Sequence, residues 1–396
     1  MKIYLLIQAR SSSSRLPFKS LLSIDKYFAI ELLYKRVKSK KYQTLILTSK
    51  DDSDDYFAHV LKRKNIPFVR GNLLNVKERF LNFKKNIHPN DILVRLTGDN
   101  LFIDKYLIKL LVRKIIKENK NYVFIGNQYL KIPYGISVEA FRFSQLKQKK
   151  NNTPKDMEHV TYSFDKTKEN SLKSLKENYK WKKLKCSIDH LENYYDVRKV
   201  FQKAKNPATI SWHQLCSLLE KNSKNQKKIT KNIKLISLKS KHLKANHILN
   251  ICKLKKQEWK YPLKSQIKHF NKNFNNKDIN NMIYKNKKLI GYTILRKKKI
   301  KINNLNKNFL LLDTIIIDNR FRNKNLGEIL MYFNNNQILR SKHPSILQCK
   351  KKHLLFYKKF YWKKINDKNV IFDNKNNKLN LMSFSYFFLI FSIFFQ

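Results

Sequence analysis

Residues 2–8, Lys-Ile-Tyr-Leu-Leu-Ile-Gln, hold an unbroken apolar run between Lys2 and Gln8, too short for a buried helix and suited to a strand covered on both faces. Residues 28–37 then place apolar side chains at helical spacing, and 43–48 predicts a second strand. Residues 51–64 predict a helix with an acidic first turn, which the helix dipole favours. A short strand over 66–69, a helix over 75–85, a buried strand over 91–96 and a helix over 104–118 continue the rhythm. Strand alternating with helix predicts an α/β fold, a mainly parallel sheet with helices on both faces. Ligands of such sheets sit at the carboxyl ends of the strands. The loops after Gln8 and after Leu96 are therefore the places to look for chemistry.

From 135 to 164 the pattern is mixed, after which 184–188 predicts a strand ending at Asp189 and 191–204 a helix. Residues 221–234 are rich in Lys, Asn and Ser without apolar periodicity and read as a domain boundary. Two domains follow, 1–222 and 235–396. The second predicts a helix over 242–259, a hairpin from 282–284 and 289–295, and a strand over 310–317. A helix over 326–339, a strand over 345–349, a short helix over 354–360 and a closing strand over 380–389 complete a mixed α/β domain. The apolar run 384–395 is shorter than the ~20 residues a membrane-spanning helix needs. It reads as a buried strand, with a membrane-surface tail as the alternative. The N-terminal run is too short for a signal peptide.

Composition changes this picture little. With 42% hydrophobic and 13% aromatic residues the chain is a folding one, despite its net charge of +57. The charge comes mostly from Lys, is spread along the whole chain, and accompanies abundant Asn, Ile, Phe and Tyr with only six Gly. That is the signature of an A/T-rich coding sequence. A specific nucleic-acid binder concentrates its charge and favours Arg, so no specific nucleic acid is expected as a partner. The four cysteines form no CxxC pair, which fits a reducing, cytoplasmic location without structural zinc or disulfides.

The first strand runs into Ala9-Arg10-Ser11-Ser12-Ser13-Ser14-Arg15-Leu16-Pro17-Phe18-Lys19. Small polar residues leave backbone N–H groups and hydroxyls open to an anion, and Arg10, Arg15 and Lys19 add cationic donors. A triphosphate cradle and a solvated Ser-rich loop both fit. Asp99 and Asp189 stand at the ends of separate strands, where a parallel sheet brings them to one edge as hard oxygen ligands for Mg²⁺. Helix capping by Asp189 is the alternative.

The run QARSSSSRLPFKSL resembles the first motif of the cytidylyltransferases that make CMP-3-deoxy-manno-octulosonate and CMP-sialic acids, nearest their spore-coat polysaccharide branch (QAR-x-x-S-x-RLPGK). Val69-Arg70-Gly71, Val94-Arg95-Leu96-Thr97-Gly98-Asp99-Asn100, Pro133-Tyr134-Gly135, Glu158-His159-Val160-Thr161 and Ser187-Ile188-Asp189 resemble the later motifs in that branch's order. The resemblance covers residues 1 to about 201. It implies a nucleotide-diphospho-sugar transferase fold and a reaction in which a sugar's anomeric hydroxyl attacks the α-phosphate of CTP. By position it implies Arg10 and Lys19 as catalytic phosphate ligands and Ser11 to Ser14, Arg15 and Arg95 as nucleotide-binding. Asp99 and Asp189 are implied as ligands of Mg²⁺, with Glu139 and His159 as further contacts. Phe18 stands where the family has Gly, and Leu101 where it has Pro. Gly71, Gly98 and Gly135 all fall inside the motifs, as backbone positions that tolerate nothing bulkier would.

In the second domain, 310–331 reads as a strand, a basic turn and a helix whose N-terminus offers free N–H groups to a pyrophosphate. Arg322, Asn323, Lys324, Asn325, Leu326 and Gly327 resemble the acetyl-CoA motif of GNAT-type N-acetyltransferases, R/Q-x-x-G-x-G/A. Phe356-Tyr357-Lys-Lys-Phe360 resembles that family's late segment, which implies Tyr357 as general acid on the leaving thiolate. Asn325 and Tyr361 stand where Gly is usual. On the residues alone, a core Tyr357 and a merely solvated Arg322–Lys324 turn remain open. The combined expectation is a bifunctional surface-glycan enzyme using CTP, Mg²⁺ and acetyl-CoA on small-molecule sugars, possible as a homodimer, without a membrane span. The alternatives are a nucleotide- or CoA-binding protein without turnover, and a basic nucleic-acid-binding protein.

Overall fold

Two units divide the chain in the computed structural model, Met1–Thr230 and Lys231–Gln396. The described residues are 1–126, 132–148, 153–172, 181, 183–223, 233–302, 305–365 and 380–384.

The first unit begins with β1 (Ile3–Gln8), a small hairpin of β2 (Ser23–Ile24) and β3 (Tyr27–Phe28), and α1 (Ala29–Val37). Next come β4 (Gln43–Ser49), α2 (Asp55–Arg63), β5 (Phe68–Gly71), α3 (Val76–Leu81), β6 (Ile92–Thr97) and α4 (Lys105–Lys117). Two further strands, β7 (Tyr122–Ile125) and β8 (Val138–Arg142), precede α5 (Pro154–His159), α6 (Leu191–Gln202) and α7 (Trp212–Ser223).

The six-stranded sheet has the order β5-β4-β1-β6-β8-β7. It is parallel from β5 to β6, and β8 runs antiparallel to both neighbours. Alternation along the strands covers both faces. Tyr4, Leu6, Leu45, Leu47 and Leu93 pack with Val76 and Phe80 of α3, while Leu5, Ile7 and Ile46 are fully buried on the opposite face. β4 and β5 add on one side of β1 and β6 on the other, so the strand order reverses at β1 and leaves a crevice at the carboxyl ends of β1 and β6.

The crevice is tightly framed. The Gly98 N–H donates to Gln8 O at 2.9 Å, and a Cβ on Gly98 would meet Ala9 Cβ at 2.7 Å. Behind it, the buried Arg36 guanidinium on α1 donates to the carbonyls of Phe102, Ile103, Pro207 and Ile210. One side chain thus satisfies loop carbonyls that a buried turn would otherwise leave unpaired.

The expected strand over 184–188 is absent. That segment makes one isolated bridge, Tyr134 to Lys185. Its backbone hands its bonds from one neighbour to another: Tyr134 N to Leu184 O, Cys186 N to Tyr134 O, then Ile188 N to Asp99 O. The partner changes from Tyr134 to Asp99 within four residues, so the bridge does not extend into a ladder.

The second unit comprises β9 (Ile233–Lys239), α8 (Ala245–Lys256), α9 (Leu263–Lys272), β10 (Ile279–Lys285), β11 (Lys288–Ile302), β12 (Leu305–Ile317) and α10 (Leu326–Ser341). β13 (Ser345–Cys349), α11 (Leu354–Lys358), β14 (Lys363–Lys364) and β15 (Asn380–Phe384) complete it. The seven-stranded sheet has the order β14-β15-β13-β12-β11-β10-β9. Helices α8 and α9 bury Ile251, Cys252 and Phe270 against Met282 and Tyr292 on one face. The alternating residues Asn281 and Thr293 bond Asn334 of α10 on the other.

Among the described strands of this sheet only β12 and β13 pair in parallel, over Leu310, Leu311 and Leu312 with Ser345, Ile346 and Leu347. At the next residue the register of β12 on β11 slips, leaving Asp313 as a bulge. Beyond it β12 pairs with β11, and β13 with β15. The two parallel strands therefore part company at their carboxyl ends. The rest of the closing strand expected over 380–389, the run to 395 and residues 224–232 lie outside the described residues.

Candidate active site

The loop after β1 folds back on itself. Ser11 O accepts from both Ser13 N and Phe18 N at 2.9 Å, and Ser11 N donates to Asp54 Oδ1 at 2.5 Å. Asp54 also accepts from Ser49 Oγ at the end of β4. Three of the loop's N–H groups are thus committed to protein. This narrows the expected cradle: Ser11 and Ser12 are turned into the protein, with hydroxyls buried and unpartnered, while Ser13 and Ser14 face the crevice.

Phe18 takes the left-handed conformation, φ 57° and ψ 18°. This is the backbone a Gly adopts freely and other residues at a cost of about 1–2 kcal/mol. Its ring is 4% exposed and is not part of the cleft wall. The departure from Gly therefore strains the turn without blocking the cleft.

The cleft has a volume of about 710 Å³, and Arg10, Arg15, Lys19, Asp99, Arg79 and His159 are among its walls. Lys19, following the Phe18 turn, points between two carboxylates. Its Nζ lies 2.6 Å from Asp99 Oδ2 and 3.8 Å from Asp189 Oδ1. Arg15 Nη2 meets Asp189 Oδ1 at 2.7 Å, and Ser187 Oγ donates to Asp189 Oδ2 at 2.8 Å. The structure thus brings together Asp99 from the end of β6 and Asp189 from the irregular segment before α6. Asp189 is not a cap, since His190 occupies the N-cap position of α6.

Burial alone would raise the Asp99 carboxyl. The adjacent Lys19 ammonium, with bonds from Thr97 and the backbone, outweighs it and holds Asp99 below its ordinary value. The same two carboxylates, after burial, push the Tyr134 phenol up.

The position of Asp189 depends on Gly135. With φ +96°, Gly135 lets the Tyr134 turn press against Ser187, and a Cβ there would sit 2.5 Å from Ser187 N. Ile188 N then donates to Asp99 O at 3.0 Å, tying the two acidic segments together.

Arg95 does not line the cleft, contrary to its expected contact with nucleotide. Its Nη1 pairs with Glu139 and its Nε donates to Gln8 Oε1 at 2.9 Å. Glu139 also accepts from Tyr122 and Thr161. Burial pushes Glu139 up, and the Arg95 charge and these bonds bring it below its ordinary value. Arg95 is charge-matched from below, so it acts by holding Gln8, which does reach the cleft wall.

Arg79 is the cleft residue that sequence reasoning missed. It is 4% exposed, and its Nε and Nη2 donate to Asn72 O and Leu73 O at 2.5 and 2.6 Å. Burial lowers the guanidinium to about 10, with Asp54 opposing and the nearby Arg10 adding to the shift. A lone Arg in a short helix carries no motif, and only its burial in the cleft wall marks it out.

Two clustered carboxylates beside cationic phosphate donors suit Mg²⁺, which takes one or two protein carboxylates and completes its shell with phosphate oxygens and water. Among the described residues no group of three or more His, Cys, Asp or Glu could hold a metal by itself. The donor set therefore fits a metal brought with a nucleotide.

In the second unit, Asn323 (φ 59°), Asn325 (φ 57°) and Tyr361 (φ 67°) are all left-handed. Asn325 is the N-cap of α10, so the N–H groups of Leu326 and Gly327 have no helical acceptor. Gly327 packs against Phe356 of α11, its Cβ position 3.5 Å from that ring. Arg322 and Lys324 turn to protein groups: Arg322 bonds Ile317 O and Glu258, and Lys324 bonds Arg320 O. Tyr357 of α11 is buried with Cys349 nearby, and burial then that thiol push its phenol well up.

The cytidylyltransferase family model matches residues 4–229. The spore coat polysaccharide biosynthesis protein SpsF of Bacillus subtilis is 28% identical over 230 residues, which are 56% of this chain and 95% of that protein. An uncharacterized protein of Methanocaldococcus jannaschii is 34% identical over 165 residues, 41% of this chain and 66% of that protein. The structure of a cytidylyltransferase from Leptospira borgpetersenii serovar Hardjo-bovis superposes with a TM-score of 0.50 and 26% identity. It covers 58% of this chain and 99% of its own.

Proposed function

The chain belongs to the cytidylyltransferase family, and from that premise we propose that its first unit converts CTP and an acidic sugar to a CMP-sugar and pyrophosphate in surface-glycan biosynthesis. The sugar's anomeric oxygen forms a bond to the α-phosphorus, the bond from that phosphorus to the β-bridging oxygen breaks, and the hydroxyl proton passes to solvent. Arg10, Lys19 and Arg15, with Ser13 and Ser14, hold the phosphates. Asp99 and Asp189 would hold Mg²⁺, which neutralises charge on the phosphates when bound.

The observation that carries this reading is the meeting of Asp99 and Asp189 at Lys19 Nζ, in the wall of a cleft where Arg10 carries no protein partner among the described residues. Fixed cations close to where negative charge grows are worth far more in such a cleft than in water. The test is incubation with CTP, Mg²⁺ and a panel of keto-sugar acids while following pyrophosphate. No release with any sugar, together with no CTP binding, sinks the reading.

A second reading concerns the second unit, where a specific geometry favours it. We propose that it transfers acetyl from acetyl-CoA to an amino sugar. Its support is the parting of β12 and β13 after Leu312 and Leu347, with the open N-terminus of α10 after one strand and Tyr357 after the other. The amine nitrogen bonds the acetyl carbon and releases its proton to solvent, the carbon–sulfur bond breaks, and Tyr357 gives its proton to the thiolate and is reprotonated from solvent. The Tyr357 phenol carries its proton at neutral pH, as a general acid must before it acts. Calorimetric titration with acetyl-CoA tests this, and absence of binding would refute it.

A further inference from the structure

The cationic side chains of the cleft fall into two groups. Arg15 and Lys19 face carboxylates at 2.7 and 2.6 Å. Arg79 donates only to backbone carbonyls, and Arg10 makes no hydrogen bond or ion pair among the described residues. Asp54, which acts on Arg79 through space, commits its oxygens to Ser11 N–H and the Ser49 hydroxyl. Arg79 is nevertheless 96% buried, being 4% exposed. A buried guanidinium without a paired carboxylate is costly unless something else supplies the counter-charge.

Its carbonyl bonds also fix its plane. With Nε and Nη2 anchored to Asn72 and Leu73, the remaining nitrogen, Nη1, is the one left for a ligand in the cleft that Arg79 lines. Arg10 lines the same cleft as Arg79, and its charge opposes that of Arg79. Two guanidiniums held together in a cleft wall are matched by an oxyanion with two or more oxygens to share.

We propose that Arg79 and Arg10 form a second oxyanion subsite of the cleft, apart from the Lys19–Asp99–Asp189 cluster, that takes a nucleotide phosphate or the carboxylate of the acidic sugar. This rests on the cytidylyltransferase reading for the identity of the ligands, though not for the existence of the subsite. Arg79 positions itself through the 72–73 turn, so the subsite is built before any ligand arrives. Lys in its place keeps the charge but loses the fork.

The test uses the full chain, wild type and the variants Arg79→Lys, Arg79→Gln and Arg10→Gln. Calorimetric titrations with CTP plus Mg²⁺, with inorganic pyrophosphate and with 3-deoxy-manno-octulosonate are the readout, and thermal melting checks folding. Removing a charge-assisted bond should weaken one class of ligand by about tenfold or more. Weakening of CTP and pyrophosphate alone assigns the subsite to phosphate, and weakening of the keto-sugar acid alone assigns it to the carboxylate. Arg79→Lys, which keeps the charge and removes only the fork, keeps the test valid should Arg79→Gln fail to fold, and weakening in Arg10→Gln alone, with Arg79→Lys binding as wild type, overturns the proposal because the Arg10–Lys19 loop accounts for it. Variants that fold and bind all three probes as wild type overturn the proposal. Wild-type binding of pyrophosphate but not CTP would sink the cytidylyl reading while leaving the subsite standing.

Discussion

Replacing Gly135 by Ala asks whether the carboxylate pair is held in place by the close approach of two backbone segments. At φ +96° a side chain is strained, and the new Cβ would lie 2.5 Å from Ser187 N and 2.9 Å from Ser187 Cβ. Reaching ordinary contact at 3.4 Å needs roughly 0.9 Å of movement, the difference between 3.4 and 2.5 Å. The obstacle is backbone, so no flexible side-chain end can swing away. Movement of Ser187 reaches Asp189 through the 2.8 Å hydroxyl bond, and Asp99 through the Ile188 N–H. Strain of this kind costs about 1–3 kcal/mol, which for a unit of this size lowers the melting temperature by roughly 3–10 °C. Displacing reacting groups by about 1 Å costs on the order of 100-fold in rate. A continuous pyrophosphate assay should therefore show kcat reduced by about 100-fold, while CTP affinity, set mainly by the Arg10–Lys19 loop, changes by less than about threefold. A folded variant turning over at the wild-type rate would refute the reasoning, because Asp189 would then have no role that depends on its position.

Lys19→Met should destabilise the first unit most at neutral pH. Asp99 has its folded value below the ordinary 3.8, so its stabilising contribution is fully present above that value and is lost as pH falls through the lower, folded one. Melting curves across the acid range should show the penalty of the variant shrinking with acidification, and a pH-independent penalty would contradict it. Phe18→Gly should relieve about 1 kcal/mol of left-handed strain but lose a buried ring worth about 3–5 kcal/mol. A lower melting temperature and no gain in activity are expected, and a more stable, more active variant would show that the ring obstructs the cleft. Tyr357→Phe should lower the rate of thiol release from acetyl-CoA by about 100-fold without weakening acetyl-CoA binding. An unchanged rate would remove Tyr357 from the chemistry.

The parts of the fold visible in the sequence are those whose local pattern and tertiary role agree. Residues 3–7, and 92–96 with Arg95 as the one polar member, are apolar because they lie at the sheet centre, where both faces are covered, and their ends mark the crevice. The strand Tyr122–Ile125 is only four residues long and directly follows a helix, so periodicity has no window in which to detect it. Val138–Arg142 lies within a stretch whose order comes from pairing with β6 and β7, not from its own pattern. Leu263–Lys272 is largely polar, and its narrow apolar stripe of Leu263, Ile267 and Phe270 shows only once it is packed with α8 against the sheet. Ile233–Lys239 was hidden by the Lys-rich stretch that precedes it.

In the site, Asp99 was legible because it ends a buried strand. Asp189 was read as the end of a strand that does not form, since what places it is the contact of Gly135 with Ser187. Arg95 looked like a ligand, and Arg79 drew no reading from the sequence. The structure pairs the first with Glu139 and places the second in the cleft wall with its bonds on backbone carbonyls. Phe18, Asn325 and Tyr361 share a cause: a Gly-poor chain keeps left-handed turns at these positions and fills them with other residues.

The account turns on whether a metal-bound triphosphate sits between the Arg10–Lys19 loop and the two acidic side chains. Phosphorus NMR of CTP and Mg²⁺ with a keto-sugar acid and the full chain tests this most directly. The prediction is loss of the three triphosphate resonances and growth of a phosphodiester signal with pyrophosphate, in wild type but not in Asp99→Asn or Asp189→Asn. Equal conversion by wild type and both variants would contradict the account, as would a wild type that leaves the triphosphate resonances unshifted.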